Sequence, residues 1–303
     1  MRILSHEIYA HHEVQAGHPE RPDRITHLMA YLRAEGLATE RNLTTASAAT
    51  AEDILRVHDG AYLGHLESQS PDSGLIALDP DTWLSPASLD AATYAAGAVC
   101  QGVDLLLSGE DRVFCAVRPP GHHAESDAAM GFSIYNSIAV GAAKALATSD
   151  VERVAILDFD VHHGNGTVEI FHDQPEVLVL SSFQHPFYPH RFFESDWSNI
   201  INTPLPAGTD GSGFRQAIER DWLPALNAHQ PDLILVSAGF DAHAQDPLAG
   251  LNLVEEDFGW ITELIVDQAN TYAQGKVLSA LEGGYDLDAL ATSVATHLNA
   301  LSD

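Results

Sequence analysis

The feature that most constrains this chain is a series of short apolar runs separated by longer stretches of helical periodicity. VFCAV (113–117), VAILDFD (154–160), VLVLSSF (177–183), LILVSAG (233–239) and VLSAL (277–281) read as strands buried on both faces, and MRILSH at the start is a further candidate. Helical spacing runs through 133–147, 212–228, 255–274 and 286–301. In the third of these, Phe258, Ile261, Ile265 and Ala269 share a face. Such alternation predicts an α/β fold of parallel strands joined by crossover helices. The stretch before residue 110 otherwise reads as helix and loop. No internal repeat and no Pro/Gly/Ser-rich linker divides the sequence, so residues 1–303 are expected to form a single domain.

Polar clusters sit at the carboxyl ends of these runs: 158–163, 240–243 and 282–285. Ligands of open parallel sheets bind beyond the carboxyl ends of the strands, so the clusters are expected to meet in one site.

Charge and targeting narrow the function by exclusion. With 14 Lys+Arg against 43 Asp+Glu, the net charge is −29, and Lys144 and Lys276 are the only lysines. So negative a surface repels phosphate backbones and anionic membranes, which predicts no nucleic-acid and no membrane partner. It suits either cationic substrates or plain solvation, as in adaptation to salt. No apolar run approaches the ~20 residues of a membrane span, and MRILSHEIYAHH lacks a signal-peptide layout. Cys100 and Cys115 lie in apolar surroundings and read as buried free thiols, consistent with a cytoplasmic location.

The clusters carry chemistry. In LDFDVHHGNGT, an extended chain would place Asp158, Asp160 and His162 on one face. Two carboxylates and an imidazole leaving an apolar strand together need a neutralising cation or a dense hydrogen-bond network, and these residues alone fit both. As ligands, a mixed O/N set suits zinc, with iron(II) or cobalt also compatible. Asp241, at the end of another strand, is placed to be a third ligand, giving the three-ligand pattern of catalytic zinc. His243 and Asp246 read as supporting or turn residues. GNG (164–166) precedes a helical stretch and reads as a strand-to-helix turn. In RPPGHHA (118–124) the Pro-Pro-Gly lead-in makes an irregular loop, so His122 and His123 can both approach the site as ligands or proton-transfer groups. In LEGGYD (281–286), Gly283 and Gly284 let Tyr285 swing towards it, where a phenol can donate to an oxyanion.

Taken together, GHPERPDR (17–24), DTWLSP (81–86), RPPGHHA, Gly131-Phe132, LDFDVHHGNGT, SSFQHPFYP (181–189), SAGFDAHAQDP (237–247) and LEGGYD resemble the histone deacetylase and acetylpolyamine amidohydrolase superfamily, in particular its class II-like bacterial members. The resemblance covers nearly the whole chain. It implies the arginase-deacetylase fold, with a single central, mostly parallel eight-stranded sheet flanked by helices. It implies zinc on Asp160, His162 and Asp241, and His122 and His123 as general base and general acid or electrostatic partner. Asp158 would orient the first histidine, Asn165 the second, and Tyr285 would polarise the scissile carbonyl. Phe132, Tyr188 and Gly131 would line the acyl channel, and Asp81 would hold the substrate backbone at the rim. Asp158, Asp160, His162, Ser181 and the Ser182 carbonyl match a structural potassium site. Two departures stand out: Ser182-Phe183 replaces the Leu-His of many relatives, and the loop 190–199 replaces a Gly-Thr-Gly stretch.

The activity so implied is zinc-dependent hydrolysis of an N-acyl amide of acyl-lysine type, carried by a peptide or a small molecule. An acetylpolyamine amidohydrolase is the alternative, but Leu248 stands where one polyamine-selective lineage has an acidic gatekeeper. A two-manganese ureohydrolase would need further carboxylates where Gly164 and His243 stand. A non-catalytic acyl-binding protein would not require the His pair and Tyr285 together.

Overall fold

In the computed structural model, which describes residues 1–302, β1 (Arg2–Ser5) leads through a 3₁₀ turn to α1 (Asp23–Ala34), β2 (Leu43–Thr45), α2 (Ala51–Ile54) and α3 (Gly60–Gln69). A small antiparallel pair, β3 (Ile76–Ala77) and β4 (Trp83–Leu84), precedes the long α4 (Ser88–Leu107). Strands and helices then alternate: β5 (Arg112–Cys115), α5 (Ser137–Leu146), β6 (Val154–Asp158), α6 (Asn165–Phe171), β7 (Val177–Gln184) and β8 (Ile200–Leu205). The chain ends with α7 (Gly211–His229), β9 (Leu233–Ala238), α8 (Glu255–Tyr272), β10 (Val277–Leu281) and α9 (Leu287–Ser302).

The main sheet has eight strands in the order β2-β1-β5-β10-β9-β6-β7-β8. Every pairing in it is parallel, as the alternation of apolar runs and helices predicts. The central strands β5, β6, β9 and β10 are buried at every residue, the mark of a sheet covered on both faces. Two packed groups of helices supply the cover, α4 with α5 and α8 with α9 and α1.

The expected helices are close to the observed ones except the first. It begins at Ser137 rather than 133, because Asn136 accepts a hydrogen bond from Ala139 N at 3.0 Å and caps it there. Two edge strands, β2 and β8, are not expected from the sequence. β2 is three residues long without a fully buried one, and β8 carries Pro204 and is buried at only three of its six residues. Edge strands need neither length nor a continuous apolar run.

One inference from the sequence needs correcting. β6 stops at Asp158, so Asp158, Asp160 and His162 do not share a strand face. Beyond the strand the chain descends in polar steps: Asp158 Oδ1 accepts from Asp160 N at 3.1 Å, and Asp160 Oδ1 accepts from His162 N at 2.9 Å. These local bonds turn Asp160 and His162 away from the strand direction. Cys100 and Cys115 are buried free thiols; burial pushes the Cys100 thiol up to about 12 and raises that of Cys115 as well, which leaves both unreactive. No helix among the described residues is long and apolar enough to cross a membrane.

Candidate active site

The polar clusters lie beyond the carboxyl ends of β5, β10, β9 and β6, four adjacent strands at the centre of the sheet. Asp160 and His162 follow β6 and Asp241 follows β9. Within this triad one ligand atom from each residue lies within 4.8 Å of the others, and all three residues are buried. His162 Nδ1 faces both carboxylates, 3.0 Å from Asp160 Oδ1 and 3.2 Å from Asp241 Oδ2. Although that imidazole is close, Asp241 Oδ2 is buried with no well-formed hydrogen bond. An under-satisfied carboxylate oxygen in an O/N/O set of three residues is the donor arrangement that a divalent cation such as zinc fits. The charges agree. Burial disfavours a charged His162, yet Asp160 and Asp241 outweigh it and raise its pKa to about 10. Burial raises Asp241, and the neighbouring Asp160 adds to the rise. The pocket therefore demands positive charge.

Backbone glycine makes the triad possible. A Cβ at Gly283 would stand 2.0 Å from Asp241 Oδ2 and 2.6 Å from Asp160 Oδ2, so a side chain there would displace both carboxylates. The Gly283 amide instead donates to Asp160 Oδ2 at 2.9 Å.

The tandem histidines follow β5. His122 Nδ1 lies 2.8 Å from Asp158 Oδ2, and its Nε2 lies 3.7 Å from Asp160 Oδ1. Burial works against a charged His122, but Asp158 and Asp160 outweigh it and lift its pKa well above the ordinary value. His123 Nδ1 is paired at 2.7 Å with Asn165 Oδ1, an amide rather than a carboxylate. Burial, with His122 and His162 nearby, drives its pKa well below the ordinary value. Two adjacent imidazoles are thus pushed in opposite directions, the pattern that separates acid from base roles. Asn165 opens α6, so GNG is the strand-to-helix turn expected of it.

Tyr285 follows β10. Its ring meets Phe132 edge-on at 5.8 Å, and the Arg24 guanidinium lies 4.8 Å from its centroid. Burial pushes its hydroxyl well above the ordinary phenol range, with Arg24 pulling the other way. Asp246 anchors the loop, accepting from Tyr285 N at 2.7 Å and from Leu248 N at 2.9 Å. It combines the expected turn role with support of Tyr285. His243 points elsewhere, stacked against Phe258 of α8.

Phe132, which adopts a positive φ of 68°, and Tyr188, 5.3 Å from the His123 ring, form aromatic walls around the histidines and Tyr285. Gly131 lies against His123; a Cβ there would be 2.4 Å from His123 Cδ2. Asp81 is tied into the same rim. Its carbonyl lies 3.1 Å from His18 Nε2, and the neighbouring Thr82 hydroxyl accepts from Phe132 N at 3.0 Å. Burial and the charge of Asp79 raise the Asp81 carboxyl to about 6. Leu248 is half-buried. Ser181 and Ser182 are buried beside Asp158: Ser181 pairs with Asp158 across β6 and β7, and Ser181 Oγ accepts from Gly164 N at 3.3 Å.

The structure adds roles that the sequence does not assign. Phe187 stacks on His162 at 5.4 Å. Buried Glu282 accepts from Gly121 N at 2.6 Å and His122 N at 3.2 Å, fixing the histidine loop. Behind Tyr285, Arg24 donates to Glu282 O at 2.6 Å and Gly284 O at 2.7 Å, and pairs with Glu20, which also binds Arg118. These partners lie up to 260 residues apart, and no local signal links them. A groove of about 1090 Å³ between the 3₁₀ turn, α1 and β2 contains none of the site residues. Chemistry, not volume, locates the site.

The chain belongs to the histone deacetylase family, a family of hydrolases: residues 18–301 match the model of the histone deacetylase domain. It is 38% identical over 278 residues to a histone deacetylase-like amidohydrolase of Pseudomonas aeruginosa, covering 89% of this chain and 73% of that one. A probable deacetylase of Archaeoglobus fulgidus is 35% identical over 295 residues, covering 94% and 81%. Among solved structures, the HDA15 HD domain superposes with a TM-score of 0.93 at 32% identity, covering 99% of this chain and 87% of that one. The eight-stranded parallel sheet is thus that of the arginase-deacetylase fold.

Proposed function

We propose that the chain is a zinc-dependent amidohydrolase that removes the acyl group from an acyl-lysine-like side chain, acting as one catalytic domain over residues 1–303. The observation that carries this reading is the buried Asp160–His162–Asp241 triad beside two histidines wired to unlike partners. When bound to these three residues, zinc supplies Lewis acidity, polarising a carbonyl and lowering the pKa of a water.

The remaining steps belong to the protein. His123, neutral and hydrogen-bonded through Nδ1 to Asn165, presents Nε2 as the base that takes a proton from the attacking water. His122, paired with Asp158, stays charged and stabilises the negative charge that develops. Tyr285 donates its hydroxyl hydrogen bond to the tetrahedral oxyanion. The C–N bond then breaks, and His123 passes its proton to the departing amine nitrogen. Phe132, Tyr188 and Gly131 enclose an extended aliphatic chain, while Asp81 at the rim accepts hydrogen bonds from the substrate backbone. Asp158, Asp160, His162, Ser181 and Ser182 would hold a structural potassium ion that offsets the buried carboxylates.

Half-buried Leu248, an apolar residue beside Asp246, favours a neutral acyl-lysine chain over an acetylpolyamine. Purified protein loaded with zinc is expected to hydrolyse acetyl-lysine peptides faster than acetylated polyamines. A strong preference for the polyamines would reverse the assignment, and absence of turnover across a panel of acyl lengths and amines would refute it.

A further inference from the structure

The two histidines differ in how firmly their partners define them. Asp158 is a carboxylate, an acceptor at both oxygens, so His122 must donate from Nδ1 whichever oxygen it meets. Asn165 is an amide with one accepting and one donating end, so it can present either to His123. If the oxygen faces His123 Nδ1, that nitrogen carries the proton and Nε2 keeps the lone pair that a base requires. If the amide turns over, the tautomer inverts and the base is lost.

What surrounds the other end of Asn165 decides between them. Its Nδ2 lies 2.8 Å from Glu125 Oε1, 3.2 Å from the His123 carbonyl and 3.2 Å from Met130 Sδ. All three are acceptors. An oxygen turned that way would face a carboxylate, a carbonyl and a thioether with no hydrogen to share. Glu125 is the strongest of the three and is 4% exposed. Burial raises the Glu125 carboxyl, and the Asn165 amide together with Arg191, whose Nη1 lies 3.0 Å from Oε2, pulls it back towards the ionised, acceptor-only form. Arg191 belongs to the loop 190–199 between β7 and β8.

We propose that Glu125, braced by Arg191, is a positioning residue that fixes the amide of Asn165 and through it the Nδ1-protonated tautomer of His123. The inference rests on the reading of His123 as the base, and it concerns a residue that touches neither substrate nor metal.

The test is long-range ¹H–¹⁵N spectroscopy of histidine-labelled protein, with zinc in place of any bound metal and His123 assigned by its loss in His123→Gln. Wild-type protein is expected to show His123 protonated at Nδ1 and bare at Nε2. Finding it protonated at Nε2 would overturn the proposal without any variant having to fold. Glu125→Met, which removes the acceptor, is expected to give mixed tautomers and a kcat lower by about tenfold or more with KM little changed, as loss of an outer-shell partner does. Glu125→Gln, which keeps an accepting oxygen, is expected to restore most of both. An unchanged His123 tautomer in Glu125→Met would also overturn the proposal. Because the spectrum reads the tautomer whether or not a test amide is turned over, failure of the amidohydrolase reading would appear separately, as absent turnover with the wild-type tautomer intact.

Discussion

Replacing Gly283 with alanine tests the proposed metal site through a single methyl group. Gly283 does not have a positive φ, so its backbone accepts alanine without strain, and the effect comes from space alone. The added Cβ would lie 2.0 Å from Asp241 Oδ2 and 2.6 Å from Asp160 Oδ2, where ordinary contact begins at 3.4 Å. One carboxylate must retreat by about 1.4 Å and the other by about 0.8 Å, or the loop must move. Asp241 has little room, being fully buried with Oδ1 held by Val161 N at 2.9 Å. Misplacement of about 1 Å at a reacting centre costs about 10²-fold in rate, and forcing a methyl into packed surroundings costs about 1–3 kcal/mol. Gly283→Ala is therefore expected to bind zinc at least about tenfold more weakly in competition with a chromogenic chelator, and to lose about 10²-fold in kcat/KM. Gly64→Ala is the control, an exposed position of α3 with nothing within 4 Å of the new Cβ. It should leave zinc affinity unchanged and gain up to about 1 kcal/mol in stability. Wild-type zinc affinity in Gly283→Ala would refute the close-approach argument.

Three further outcomes are expected. Tyr285→Phe should lower kcat about 10²–10³-fold with little effect on Tm, and near-normal turnover would remove the hydroxyl from the chemistry. Chelation should abolish amide hydrolysis and lower Tm, because the buried carboxylates of Asp160 and Asp241 lose their counter-charge, and added zinc should restore both; activity that survives exhaustive chelation would argue against the metal. Burial alone would raise the Glu20 carboxyl, but Arg118 outweighs it, with His12 and Arg24, and holds it down to about 2 from an ordinary 4.5. A pKa lower in the folded state means stability present above pH 4.5 and lost as pH falls towards 2, about 3 kcal/mol in all. Glu20→Gln should flatten that acid limb in thermal unfolding followed against pH, while lowering Tm at neutral pH by leaving Arg24 and Arg118 buried without their anion.

Much of this is legible in the chain because the central strands announce themselves twice, as continuous apolar runs and as carriers of polar residues at their carboxyl ends. Val154–Leu157 and Leu233–Val236 are buried on both faces and show it in their composition. The edge strands do not: Leu43–Thr45 and Ile200–Leu205 owe their extended form to a neighbouring strand rather than to their own pattern. The residue types of the site are legible too, but the geometry that unites them is not. Strict alternation would put Asp160 and His162 on a strand that ends before them, and their convergence comes from side chain-to-backbone bonds that periodicity does not encode. Glu125, Glu282 and Arg24 escape for a related reason. Each acts on a partner set by tertiary contact, and nothing in the sequence around a charged residue names a partner so distant.

The reach of Arg24 bears on how the molecule comes into being on the ribosome. This guanidinium is completely buried, and its backbone partners are the carbonyls of Glu282 and Gly284. While the chain is being synthesised, Arg24 waits for residues 282–284 to emerge before those bonds can form. Until then the amino-terminal segment holds a cation that it cannot bury at low cost. The strands that carry the site are likewise out of chain order, with β10, the last made, inserted between β5 and β9. Nascent chains truncated before residue 277 therefore lack a central strand and expose apolar strand edges, a state that favours chaperone capture and aggregation over partial activity. The site stays incomplete until β10 and the loop that follows it have emerged.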